Sequence, residues 1–186
     1  MSTRTLLRTA ARRSTAAIGA LALGAGGIVL LGGQAQAAGA DLTCAVGSQT
    51  ADYSPALTNT PTQTTASISE TYSCTSLLTG VTSGTGSETV SEQASCLLTV
   101  APDVTDTFVY QWNTGQSSTV TFSTTSVVRA VDGTATITSV GSVTAGLGLG
   151  SAATRVVVLP SLDLAACAST GIATQTGTAA LAILPI

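Results

Sequence analysis

Glu70, Glu88 and Glu92 are the only glutamates of this 186-residue chain, and Glu88 and Glu92 stand four residues apart. Paired carboxylates are the equipment of glycoside hydrolysis, where one protonates the leaving oxygen and the other attacks or activates water. On a strand, Glu88 and Glu92 would share a face with their backbones about 13 Å apart, at roughly 3.3 Å per residue. That is too far for the usual pair unless Glu70 or another strand supplies a partner. The plainer reading is that these acids lie solvated on a sheet surface, and no catalytic residue is assigned. The chain has no histidine, and all six of its cations are arginines, so Ser-His-Asp, Cys-His and Ser-Lys nucleophile systems are excluded within it. Neither a dinucleotide fingerprint nor a phosphate-binding loop occurs. Asp103 and Asp106, with Asp132, could offer oxygens to calcium. They match no calcium loop, and turn formation after Pro102 is the expected role of the first two. No metal and no cofactor are expected.

Phe108, Tyr110 and Trp112 form the one aromatic cluster. Turned outward, Tyr110 and Trp112 would stack on sugar rings; turned inward, the three would centre the core. With six aromatics in the whole chain, the core is the expected place for them. Cys44, Cys74, Cys96 and Cys167 are an even set without C-x-x-C spacing, which points to two disulfides rather than a zinc site. Four cysteines allow three connectivities, and the residues themselves leave the choice open.

The redox reading needs an oxidising compartment, and the amino terminus provides a route to one. Arg4, Arg8, Arg12 and Arg13 precede any acid, Ala16 to Leu31 is almost wholly apolar, and Ala35-Gln36-Ala37 suits signal peptidase. Residues 1–37 are therefore read as a secretory signal peptide, with cleavage after Ala40 as the alternative. The apolar run is too short and too interrupted by glycine for a membrane anchor. Arg12-Arg13 is not followed by the apolar pair of a twin-arginine signal, which favours general secretion. Beyond the leader, two arginines face nine acids, a net charge of −7. Such a chain is not expected to bind nucleic acid or anionic membrane.

The elements that must position these residues are strands. Serine and threonine make up about a third of residues 38–186, and alternation, not helical spacing, is the dominant period. Leu42, Cys44 and Val46 share one face. Ile68, Tyr72 and Cys74 share another that Glu70 interrupts, and Phe108, Tyr110 and Trp112 share a third. Asn113-Thr114-Gly115 and Asp132-Gly133 predict hairpins joining strands at 107–112, 117–129 and 134–144. Further strands are expected at 41–49, 63–72, 87–98, 154–159 and 172–183, with loops over 50–62 and 78–87. About eight strands in one domain spanning 38–186 predict an all-β, two-sheet antiparallel sandwich.

Through Cys96, Trp112, Cys167 and the Thr and Val alternation around them, the chain resembles small exported immunoglobulin-like β-sandwich proteins of Gram-positive bacteria. The resemblance implies pairing of Cys96 with Cys167 and of Cys44 with Cys74, with Trp112 packed on the former. Fold does not fix function in that group, but low charge and a Thr-rich surface suit a secreted, non-enzymatic binding or structural module. Its partner would be another extracellular protein or glycan, in the manner of the adaptor subunits of secreted particles such as umbrella toxins. Carbohydrate binding through Tyr110 and Trp112 is the alternative, and polysaccharide hydrolysis by carboxylates a further one.

Overall fold

The computed structural model describes residues 41–96 and 105–185. They belong to one compact unit, Ala35–Ile186. The expected signal peptide, residues 1–37, and Asp103 lie outside the described residues.

Eight strands follow in chain order: β1 (Leu42–Leu57), β2 (Thr62–Ser76), β3 (Ser83–Ala94), β4 (Asp106–Trp112), β5 (Ser117–Arg129), β6 (Ala135–Gly146), β7 (Ala152–Leu159) and β8 (Ile172–Leu184). A single helical turn, α1 (Leu164–Cys167), sits between β7 and β8. Each strand pairs antiparallel with the next, and β8 returns to β1, from Leu42 opposite Ile183 to Leu57 opposite Ile172. The sheet is a closed barrel.

This corrects the sandwich expected from the sequence. A sandwich needs strands that cross between two sheets, whereas every link from β1 to β7 is a connection between sheet neighbours. The strands are also longer than their apolar alternation shows. β1 runs on through Tyr53-Ser54-Pro55 to Leu57, where a loop is expected, and β3 starts at Ser83. Long, twisted neighbours tilt and coil until the first meets the last, which removes the open edges.

Alternation places one side of each strand in the lumen. On β4, Phe108, Tyr110 and Trp112 are buried while Val109 and Gln111 face out. On β7, Ala153, Arg155, Val157 and Leu159 point inward. The β4 rings need space on the neighbouring strand, and glycine provides it. Gly84 is registered opposite Trp112 and Gly86 opposite Tyr110, and a Cβ on Gly86 would lie 2.5 Å from Tyr110 Cε1. The rings of Phe108 and Tyr110 stack at 5.9 Å, and those of Tyr110 and Trp112 at 5.6 Å. A column of aromatics thus runs along the lumen and joins the main core with Leu42, Val120, Phe122, Val157 and Leu181.

Turn chemistry closes the hairpins where the sequence puts it. At Trp112 to Gln116 the Trp112 N–H donates to Gln116 O, and Gly115 takes φ 80°. At Asp132-Gly133 the Asp132 carboxylate accepts the Thr134 N–H.

Candidate functional site

The structure pairs Cys44 with Cys74 across β1 and β2, and Cys96 with Cys167. That is the pairing the resemblance implied, but the immunoglobulin reason for it is absent. Cys96 lies just past β3 and Cys167 in α1, and together with Leu57 and Ala94 they form a small apolar cluster of their own. Trp112 belongs instead to the main core, as does the Cys44–Cys74 pair. Its Nε1 donates to Ser118 Oγ at 2.8 Å, and Ser118 Oγ donates on to Leu147 O. Phe108, Tyr110 and Trp112 are at most 4% exposed, so the outward sugar platform does not form.

Between the aromatic column and the Cys96–Cys167 end the lumen is incompletely filled. A cavity of about 70 Å³ remains, lined by apolar side chains that include Ala51, Ile68, Val90, Ile137 and Leu159 and by the charged Glu88, Glu92, Asp106 and Arg155. Beyond it, Cys167 of α1 packs with Leu57, Ala94 and Cys96. Asp163 caps that turn, accepting the N–H groups of Ala165 and Ala166, and its Cys167 is tied to the end of β3.

Arg155 and Glu70 are an ion pair inside the barrel, 2.6 Å apart and both almost wholly buried. Neither was assigned a role from sequence. Arg155 Nε donates to Glu70 Oε1 at 2.7 Å, a second guanidinium nitrogen donates to Gln49, and the group lies 4.4 Å over the Phe108 ring. Glu70 Oε2 accepts the hydroxyls of Tyr72 and Tyr110. Burial opposes the Arg155 charge, but the carboxylate of Glu70 holds its pKa above the ordinary value. Burial, followed by the charge of Glu70, raises both tyrosine hydroxyls, so they remain donors. A buried pair survives in this way when hydrogen bonds satisfy the remaining atoms.

The other acids differ from the surface groups expected. Glu88 and Glu92 face inward from β3, and Asp106, expected in a turn, opens β4 and lines the same cavity. The β3–β4 ladder covers only Gly84 to Ser87 against Val109 to Trp112. Just past it, Glu88 Oε1 accepts the Thr107 N–H at 2.7 Å, a side chain standing in for the next rung. Burial, and then the negative charge of Asp106, push the Glu88 carboxyl up to about 7, against the lowering effects of the Thr107 bond and Arg155. Burial raises Glu92 and Asp106 as well. Glu88 Oε2 is shielded from solvent and has no hydrogen-bond partner among the described residues.

Among the described residues no group of three or more His, Cys, Asp or Glu side chains is arranged to hold a metal ion. No helix among them is long and apolar enough to cross a membrane. The two disulfides suit an oxidising, extracellular setting. Comparison with protein-family models, with curated proteins and with solved structures gives no match for this chain.

Proposed function

We propose that this chain is an exported, non-enzymatic binding module whose binding element is the barrel lumen, taking a small ligand in the cavity between the aromatic column and the Cys96–Cys167 cluster. The observation that carries the reading is the cavity itself. An eight-stranded barrel is just wide enough either to be filled by side chains or to hold one small ligand, and here the aromatic column fills one part and a cavity of about 70 Å³ occupies another. Its wall combines apolar side chains with a few convergent polar groups, the composition of a ligand pocket. Export is supported by the leader pattern of residues 1–37 and by the two disulfides. A polysaccharide hydrolase would want its carboxylates along a groove that admits a sugar chain; Glu88, Glu92 and Asp106 face the inside of a barrel.

The test is methyl NMR of the folded, disulfide-bonded protein against small neutral, cationic and anionic molecules. Saturable shifts at Ala51, Ile68, Val90 and Ile137 are expected. Shifts confined to outer loops, or none that saturate, would remove the lumen reading.

Contact with an extracellular macromolecule is a second reading, favoured by the β2–β3 connection, where Leu77 and Leu78 are 87% and 71% exposed. It requires a partner from culture fluid whose retention is lost when Leu77→Asp and Leu78→Asp are combined.

A further inference from the structure

Resting on the lumen-binding reading above, we propose that the ligand of the cavity is a small uncharged molecule bearing a carbonyl-type oxygen, and that the amide nitrogen of Gln49 receives that oxygen. Gln49 lines the cavity from β1 and is 5% exposed. Its amide has an oxygen that accepts and a nitrogen that donates twice. Arg155 decides how the amide is turned, because a guanidinium only donates and so must face the amide oxygen. The nitrogen then points away from Arg155. It has no hydrogen-bond partner among the described residues. Nor is it sealed off: the shielded, partnerless side-chain atoms among those residues are Glu88 Oε2 and Ser151 Oγ. Two N–H bonds of a buried side chain are therefore open to the cavity that it lines. A buried donor without a partner is costly, and an amide whose oxygen is held by a cation donates more strongly.

A water molecule satisfies such a nitrogen but gains nothing from the apolar part of the lining, Ala51, Ile68, Val90 and Ile137. A molecule with one acceptor oxygen and a few carbons answers both parts. Charge narrows the class further. A cation offers the N–H bonds no lone pair. An anion meets Glu88, Glu92 and Asp106 in the same lining, while the one cation there, Arg155, is bonded to Glu70 and Gln49. An uncharged ketone, ester or amide is left.

Acetone, 2-propanol and acetate are of similar size and differ in what the oxygen can do: accept only, accept and donate, or accept with a charge. Each is titrated into the folded, disulfide-bonded protein, following the lumen methyls and, in the same samples, the side-chain NH2 resonances of Gln49. Acetone is expected to shift both in a saturable way and to move the Gln49 protons downfield, with acetate binding more weakly. Gln49→Glu keeps an oxygen for Arg155 and replaces the donor with an acceptor. Acetone should then bind about tenfold more weakly, while 2-propanol, which can donate, changes by no more than about twofold. Lumen methyl shifts without movement of the Gln49 NH2, equal losses of acetone and 2-propanol in Gln49→Glu, or tightest binding of acetate would overturn the proposal and leave the lumen reading standing. No saturable shift of the lumen methyls with any probe would overturn both. Should Gln49→Glu fail to fold, the Gln49 NH2 resonances of the unmodified protein decide alone.

Discussion

One oxygen of Glu88 takes the Thr107 N–H where the β3–β4 ladder stops, and the other is shielded from solvent. This single side chain therefore links strand pairing to protonation. Its carboxyl is raised from 4.5 to about 7 in the folded protein, so between those values the folded state holds more protons than the unfolded chain. Stability must then fall as pH rises through that window and level off above it. The raised Glu92 and Asp106 act in the same direction. Asp132 is lowered by its Thr134 bond, and its contribution fades only as pH drops below 3.8. We expect a melting temperature higher at pH 5 than at pH 8 by roughly 3 °C or more, after allowance for solvent screening of a half-buried group. Glu88→Gln should flatten that slope; an unchanged slope would show that Glu88 does not set it. The sequence shows Glu70 as an interruption in an apolar face, but not why it is there. Its partner Arg155 is 85 residues away, on a strand that does not adjoin β2. Only the curvature of the closed sheet brings the two together, and no local pattern records that.

At the scale of the strands, the alternation on β4 puts Phe108, Tyr110 and Trp112 on one face, which the sequence shows plainly. Less legible is what receives them. Gly84 and Gly86 read as turn chemistry between strands, yet they lie within β3 opposite Trp112 and Tyr110. Glycine in a strand marks a close approach as readily as a bend, and the ring that approaches is on the far side of a connection. Gly86→Ala should therefore cost about 1–3 kcal/mol, the range for overpacking a filled core, measured from the urea midpoint. Combined with Tyr110→Ala, its cost should fall well below the sum of the two single changes, because the ring it displaces is gone. An unshifted midpoint in Gly86→Ala would mean the ring does not rest on that backbone. The ends of β1 and β3 escaped the sequence for separate reasons: Tyr53-Ser54-Pro55 reads as a turn inside β1, and Ser, Gly and Thr open β3 without large apolar markers, although the ladder to the neighbouring strands persists.

For the whole molecule, the turns at Asn113-Thr114-Gly115 and Asp132-Gly133 specify hairpins, and hairpins serve a sandwich and a barrel equally. What separates the two is whether β8 lies beside β1, a pairing between the ends of the described chain that no turn announces. The Cys96–Cys167 bond spans 71 residues and fastens α1 to the end of β3. Replacing both cysteines by serine should lower the unfolding free energy by about 2–5 kcal/mol, read from denaturant curves of the oxidised protein, and should loosen the cavity end more than the aromatic column in hydrogen exchange. Uniform loss of protection along the barrel would contradict a local fastening. The return of β8 to β1 also sets an order of events in time. Pairings from β1 to β7 join chain neighbours and can zip as each hairpin appears, but the last ladder requires Ile172–Leu184. A nascent chain emerging amino end first therefore remains an open sheet, with the edges of β1 and β7 exposed to any other strand, until β8 is made. Closure waits on β8 alone, and an interruption within it would leave a sticky ribbon instead of a barrel.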